Sequence, residues 1–440
     1  MKVCVLGIWH LGTVASACLA DLGFEVVGVD EDAARVEELN RGHAPLFEPG
    51  LDELIARGLA AGRLRYVSDV SEGVTAADWV LIAYDTPVDE RDEVDLSGLF
   101  AAAREAAPDL ADGATVIVCS QVPVGTCEQL AEAVREANPA AEFGIACVPE
   151  NLRLGLAIQR FTAPDFLVFG AADAGTHERL EALFAGIETS KLRTDLRTAE
   201  MTKHAINAYL ATSISFINEI ANLCDLVGAD GFRVAEALRL DGRTGSETPL
   251  SPGLAFGGGT LARDMKALRG IGLKRGYDPC LISGAINVNE RQNGTVLTRL
   301  KSVCKTVRGL TIGVLGLTYK PGTSTVRRSP AVEIVRALVA EGATVRAYDP
   351  RADQAEVRPY NHLFARYDNA YAVADGSQAL ILATGWPQFR DLDFRRIRDL
   401  MWNPRLLLDA QNMLDADEMS RLGFAYQGIG RRRRALEGRG

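Results

Sequence analysis

The sequence predicts an α/β protein: two doubly wound parallel-sheet domains joined by a central helical domain built on one long helix. Three observations carry this. A strand–glycine–helix–strand pattern fills the first 30 residues, and a similar pattern returns after residue 310. Between them runs an amphipathic stretch of about 30 residues, far longer than a sheet-covering helix needs.

Lys2-Val3-Cys4-Val5-Leu6-Gly7 is a short β-branched run ending in glycine. A small-residue helix follows from Thr13 to Leu22, stopped by Gly23, and Glu25-Val26-Val27-Gly28-Val29-Asp30 reads as a second strand. Such a βαβ unit builds parallel sheet. Further strands are expected at Asp78–Ala83, Thr115–Ser120, Gly144–Val148 and Phe166–Gly170, completing a doubly wound domain near residue 195. Thr198–Val227 reads as one helix of roughly 45 Å with Gly228 as its C-terminal stop. Helical segments continue to about residue 300, broken by a loop rich in Gly, Ser and Pro from Asp241 to Gly259. Leu310–Gly316 is again an apolar strand ending in glycine. Ser329-Pro330 opens a helix, Ala343–Pro350 is a strand carrying Asp349, and Ala379–Thr384 and Leu406–Asp409 add two more. The expected boundaries are 1–197, 198–300 and 301–440.

Length and composition agree with a multidomain globular protein, because one core rarely grows past about 250–300 residues. The 48 basic and 58 acidic residues leave a formal charge of −10, which argues against a nucleic-acid partner. Arg431 to Arg434 form the one dense basic run and read as a solvated tail. The eight cysteines make no C-x-x-C pair and several sit inside apolar runs, so they read as small buried hydrophobes in a reducing compartment, and no metal site is expected. No uninterrupted apolar stretch reaches the ~20 residues of a membrane span. The strand pattern starts at Lys2, leaving no room for a leader, so a cytoplasmic location without a membrane partner is expected.

The turn after the first strand reads Gly7-Ile8-Trp9-His10-Leu11-Gly12. A dinucleotide fingerprint places glycines at the first, third and sixth of these positions, and Trp9 holds the middle one. Asp30, at the end of the second strand, suits the ribose hydroxyls of NAD and repels a 2′-phosphate, so a Rossmann-like NAD site is expected. His10 is open to two readings, a ligand contact or a packed or solvent-facing side chain.

Several segments, read in order, resemble the UDP-glucose/GDP-mannose dehydrogenase family. Phe47-Glu48-Pro49-Gly50-Leu51 is similar to its YEPGL, Val122-Pro123-Val124-Gly125-Thr126 to VPVGT, and Pro149 to Gly155 to PEFLREG. Glu200, Lys203 and Asn207 follow its E-x-x-K-x-x-x-N. Phe256 to Asp264 resembles FGGSCLPKD, and Lys320 to Ala331 resembles KPNTDDVRESPA. The resemblance runs from residue 1 to about 415. It implies two Rossmann-like domains, the first binding NAD and the second a nucleotide-diphosphate sugar, around a central dimerisation domain.

The resemblance also implies roles. Lys203 and Asn207, at i and i+4 on one helix face, stabilise the oxyanion and order water at the sugar C6. Asp264 is the catalytic carboxylate and Glu150 the acid/base glutamate. Gly7, Gly12, Asp30, Thr86 and Gln121 fall at cofactor positions, with Gln121 in place of a usual Thr. Arg243 reaches the nucleotide sugar across a dimer, and Gly257, Lys320 and Arg327 contact substrate. Apolar residues of the long helix, among them Ile206, Leu210, Ile214, Ile217 and Ile220, cover more than one narrow stripe, which also points to a homodimer.

Thr260 stands where the family keeps its catalytic cysteine. A thiol pKa of ~8.5 falls further at a helix N-terminus, whereas a threonine hydroxyl stays protonated without a base. Thr260 also reads as a helix N-cap, a pocket wall, or a hydrogen-bonding group for substrate or a hydrated aldehyde. Leu154 replaces a carboxylate of the motif. The expectation is a nucleotide-sugar dehydrogenase with an altered second oxidation. Its rival is a catalytically silent nucleotide-sugar and NAD binding protein.

Overall fold

The computed structural model describes residues 1–87, 94–245 and 247–431. The chain forms two compact units, Met1–Ala205 and Ile206–Gly440, and the division falls inside the long helix.

The first unit is an eight-stranded sheet. Its strands are β1 Lys2–Leu6, β2 Glu25–Val29, β3 Leu64–Val67, β4 Trp79–Ile82, β5 Ala114–Val118, β6 Phe143–Cys147, β7 Phe166–Ala171 and β8 Ser190–Thr194, in spatial order 3-2-1-4-5-6-7-8. Every neighbouring pair is parallel except β6–β7, so the expected parallel sheet carries one antiparallel step. Helices cover both faces, which is why the inner strands read as continuous apolar runs. Along β1, Val3 and Val5 pack into one core while Cys4 and Leu6 pack into the other. The order reverses between β1 and β4, and ligands of such sheets bind at the carboxyl ends of the strands beside that reversal.

The second unit contains a six-stranded, wholly parallel sheet of β9 Thr311–Leu315, β10 Thr344–Tyr348, β11 Ala365–Arg366, β12 Ala379–Leu382, β13 Leu406–Asp409 and β14 Ala425–Gly428, ordered 11-10-9-12-13-14. The chain turns after β9 as it does after β1, on a glycine in the left-handed region: Gly316 has φ +95° and Gly7 φ +86°. Asp349 is buried and accepts from the amides of Leu317, Thr318, Arg351 and Ala352 and from the Trp386 indole, which closes this second turn internally.

The long helix spans Leu196–Val227 and stops at Gly228, whose φ is +74°. By length and composition it is apolar enough to cross a membrane. Two of its charged side chains nonetheless face protein partners: Glu200 is buried against backbone amides, and Asp225 pairs with the buried Arg299. Helices Gly231–Leu240, Thr260–Lys274, Cys280–Gln292 and Gly294–Cys304 complete the helical part.

Two sequence expectations need correction here. Arg431 is half-buried rather than free in solvent: it donates to the Asn412 carbonyl and its guanidinium lies 5.0 Å from the Phe232 ring centroid; residues 432–434 fall outside the described residues. Six cysteines are buried as expected, but Cys280, the first residue of its helix, is exposed, and Cys304, at the end of its helix, packs only partly against the core of the second sheet.

Candidate active site

The turn after β1 has the backbone a dinucleotide needs. A Cβ on Gly7 would lie 2.8 Å from the Tyr84 ring, and one on Gly12 would lie 2.0 Å from the Gly7 carbonyl oxygen, so both positions exclude a side chain. Trp9 has φ −77°, open to any residue, so its Cβ does not strain the turn. Its indole lies under the Arg35 guanidinium, 5.1 Å from ring centroid to Cζ. Asp30 is 3% exposed and accepts from the amides of Ile8 (3.1 Å) and Asp32 (3.0 Å) and from Arg35 Nη1 (2.7 Å). Three of its four acceptor sites are thus used, leaving capacity for one hydroxyl donor. Thr86 and Gln121 follow β4 and β5 at the carboxyl ends of these neighbouring strands, where Thr86 Oγ1 donates to the Gln121 carbonyl at 2.8 Å. Gly7, Gly12, Asp30, Thr86 and Gln121 therefore all lie around the carboxyl ends of β1, β2, β4 and β5. These residues fit a dinucleotide.

The start of the long helix is locked onto the loop after β5. Glu200 accepts from the amides of Gly125 (2.5 Å) and Cys127 (2.8 Å), capping the Thr126–Ala137 helix, and the His204 ring meets the Val122 carbonyl at 2.9 Å. Between them, Lys203 reaches the loop after β6: its Nζ donates to the Glu150 carbonyl (2.5 Å) and Asn151 Oδ1 (3.1 Å) and lies 3.9 Å from Glu150 Oε1. The Glu150 carboxylate accepts from the Leu152 amide at 2.5 Å. Lys203 and Glu150 are thus in contact, and both side chains are largely shielded from solvent.

One turn beyond Lys203, Asn207 Nδ2 donates to Asp264 Oδ2 at 2.5 Å, and Asp264 is fully buried. Arg263 Nε stands 3.9 Å from the other carboxylate oxygen. Asp264 belongs to the Thr260–Lys274 helix and Thr260 is its first residue, so the two are four residues apart on one face. Here the N-cap reading of Thr260 fails. Gly259 is the cap and no side-chain capping bond forms, which leaves the Thr260 side chain exposed. Burial pushes the Cys119 thiol, which lines a small cavity with Glu150 and Asn151, well above its ordinary value, so that sulfur stays protonated and is no stand-in nucleophile.

The glycines before Thr260 pack on the segment after β9. A Cβ on Gly257 would lie 2.6 Å from the Arg328 carbonyl oxygen, and one on Gly258 would lie 2.9 Å from the Tyr319 ring. Lys320 Nζ sits 5.6 Å from the centroid of that same ring. Gly257 and Lys320 are therefore brought to one neighbourhood. Arg327 is adjacent in sequence to Arg328 but largely exposed, with Nε 3.3 Å from Glu356 Oε1. Arg243 points elsewhere: its guanidinium makes a forked pair with Asp241 and is 89% exposed.

Sequence reasoning missed Arg35, Glu48 and His204. Arg35 stands five residues past Asp30, in the first turn of the helix Ala33–Asn40, and that short separation was the signal that could have flagged it. Glu48 and His204 act through contacts 107 and 82 residues distant, for which the sequence carries no local signal.

Comparison with known proteins gives consistent matches. Three domain models of the UDP-glucose/GDP-mannose dehydrogenase family match: the NAD binding domain over residues 1–188, the central domain over 197–291 and the UDP binding domain over 313–416. The UDP-glucose 6-dehydrogenase of Rhizobium meliloti (strain 1021) is 38% identical, covering 98% of this chain and 100% of the relative. That of Pseudomonas aeruginosa is 36% identical, covering 98% of each. Among solved structures, a UDP-glucose dehydrogenase from Pyrobaculum islandicum superposes with a TM-score of 0.89 at 33% identity, covering 98% of this chain and 97% of that one. A UDP-D-ManNAc dehydrogenase from Pyrococcus horikoshii gives 0.86 at 27% identity, covering 98% and 99%.

Proposed function

The chain belongs to the UDP-glucose/GDP-mannose dehydrogenase family, and from that membership we propose that it oxidises the C6 primary alcohol of a nucleotide-diphosphate sugar without forming an acyl-enzyme. It is an NAD-dependent nucleotide-sugar dehydrogenase, and NAD when bound supplies the hydride acceptor. The other tasks fall to side chains. Asp30, Arg35, Thr86 and Gln121 with the Gly7–Gly12 turn hold the dinucleotide. Lys203 Nζ and Asn207 Nδ2, one helical turn apart, hold the C6 oxygen and its developing charge. Asp264 holds a water or the C6 hydroxyl proton, with Glu150 as a second acid/base group. Gly257, Lys320 and Arg327 face the nucleotide diphosphate, and Arg243 serves a partner's site. Residues 1–197, 198–300 and 301–440 correspond to cofactor, dimerisation and nucleotide-sugar parts.

The observation that carries the reading is Thr260: an exposed hydroxyl at the first turn of a helix, one turn from the buried Asp264–Asn207 pair, where a reactive thiol would be needed for a thioester. A hydroxyl there supports the first oxidation to aldehyde. Any second oxidation then starts from the aldehyde hydrate. The test is to count NADH formed per nucleotide sugar consumed and to identify the product by mass spectrometry. One NADH with aldehyde, or two with acid and no protein adduct, supports the reading. Absence of NADH with a panel of UDP- and GDP-sugars would favour the silent binding protein.

Assembly follows from the long helix. Tyr209, Phe216 and Leu223 recur every seven residues and are 57%, 46% and 52% exposed, and Leu226 and Val227 extend the strip. An apolar face of this length suits a second copy of the helix, which supports a homodimer. A cytoplasmic location without membrane attachment fits a water-soluble substrate.

A further inference from the structure

The motif around Glu48 has no part in the chemistry above, yet its carboxylate is almost fully buried, with 1% of the side chain exposed. Its three donors come from two distant segments. Oε2 meets His10 Nε2 at 3.2 Å and accepts from the Gly155 amide at 2.9 Å, while Oε1 accepts from the Ala157 amide at 2.8 Å. His10 opens the first helix in the dinucleotide turn, and Gly155 and Ala157 end the loop that begins with Glu150.

That loop is gripped twice. Lys203 holds its first residues, through the Glu150 carbonyl and Asn151, and Glu48 holds its last. Gly155 sits at φ +87°, so the backbone there is fixed in a conformation few residues share. Of the groups on Glu48, the two amides belong to the loop itself and cannot report on anything beyond it. His10 is the donor that comes from the cofactor turn.

We propose that the His10–Glu48 pair is a positioning device that joins the dinucleotide turn to the loop carrying Glu150, so that an ordered turn orders the acid/base glutamate. Neither residue touches the reacting atoms. The inference rests on the turn binding NAD, but not on the fate of the aldehyde. Because Glu48 accepts both loop amides, any shift of its carboxylate moves Gly155 and Ala157 together. Because His10 is bonded to the same oxygen as Gly155, ordering the turn restricts that shift.

The test compares wild type with His10→Phe, which keeps a ring but removes the donor, and His10→Gln, which restores an N–H. Amide hydrogen exchange is followed over residues 150–157 with and without saturating NAD, beside NAD affinity by calorimetry and steady-state kinetics. In wild type, NAD should slow exchange in this segment several-fold. His10→Phe should bind NAD within about threefold of wild type yet lose that slowing, and kcat should fall roughly 10- to 100-fold, as misplacing a catalytic group does. His10→Gln should recover much of both. Glu48→Gln should behave like His10→Phe if it folds; His10 is the more exposed of the pair and keeps the test available if it does not. NAD binding to wild type without any slowing at 150–157 overturns the inference alone, as does slowing that survives in His10→Phe. No binding of NAD to wild type would overturn the cofactor assignment and the inference with it.

Discussion

Replacing Thr260 by cysteine should install a thiol whose acidity the structure lets us bound. The residue is the first of the Thr260–Lys274 helix, is exposed, and is uncapped. A negative charge at such a position gains about 0.3–1 kcal/mol from the helix terminus. At roughly 1.36 kcal/mol per pKa unit, this lowers a thiol from ~8.5 to about 7.8–8.3. The thiolate at pH 7.5 then rises from about a tenth to between about a seventh and a third. Asp264, one turn on, opposes this, but Arg263 lies 3.9 Å from its carboxylate and offsets part of that charge. The assay is alkylation of Thr260→Cys across pH 6–10 with peptide mapping, because Cys280 is also exposed. The expected midpoint is below 8.5, with an increase in acid over aldehyde if the site admits a thiohemiacetal. Thr260→Ala should keep most of the first-oxidation rate. A covalent adduct on wild-type Thr260, lost in Thr260→Ala together with all turnover, would refute the reasoning, since the hydroxyl would then be a working nucleophile.

Calorimetry should show NAD binding at least about tenfold tighter than NADP, because the proposed role of Asp30 sets a carboxylate against any 2′-phosphate and its Arg35 partner is already engaged; equal affinities would sink that assignment. Light scattering at micromolar concentration should give a dimer, and Phe216→Asp on the exposed strip should shift it to monomer; a monomeric wild type would count against the strip. Glu200→Gln should lower unfolding free energy by about 1–3 kcal/mol in urea titrations, since a buried carboxylate bonded to the Gly125 and Cys127 amides loses its charge. Asp409 carries a pH effect. Burial raises its folded pKa above the ordinary 3.8, so the folded state binds the extra proton and this group's stabilisation is fullest below that value, declining as pH rises through the raised one. Asp409→Asn should remove that decline, which urea unfolding at pH 4 to 7 would show; an unchanged pH slope in the variant would exclude the assignment.

What the sequence concealed follows from position in the sheets. The four strands it did not reveal, β3, β8, β11 and β14, are the four sheet edges. An inner strand is covered on both faces and reads as an apolar run, as Trp79-Val80-Leu81-Ile82 does with all four residues buried. Ser190-Lys191-Leu192-Arg193-Thr194 has no fully buried residue, and Ala365-Arg366 spans only two, so neither leaves a period to detect. The glycine turns and Asp30 were legible because their chemistry is local. Contacts among Glu48, His10 and the 155–157 amides were not, because they join segments 38 and 107 residues apart.

The same distinction bears on the two departures from the family motifs, Leu154 and Thr260, neither of which disturbs the backbone around it. Leu154 lies inside the 150–157 loop, but that loop is held through the Glu150 carbonyl, the Asn151 side chain and the Gly155 and Ala157 amides. None of these bonds uses the side chain at 154, so a carboxylate can be exchanged there for leucine with the backbone unmoved. Thr260 is alike. The turn before it is set by Gly257 and Gly258, whose missing Cβ atoms admit the Arg328 carbonyl and the Tyr319 ring, and the helix after it starts on Gly259 without a side-chain cap. Position 260 therefore bears no structural duty that threonine performs and cysteine would not. Both replacements remove a group of chemical use, a carboxylate in one case and a thiol in the other, from positions where the fold imposes no choice. The Asp264–Asn207 and Lys203–Glu150 contacts, to which the proposed function assigns the first oxidation, are each intact within their own unit. The departure at 260 is reversible by one substitution on an undisturbed backbone, so acid formed by Thr260→Cys with leucine still at 154 would assign the altered second oxidation to the missing thiol, and aldehyde alone would implicate the missing carboxylate as well.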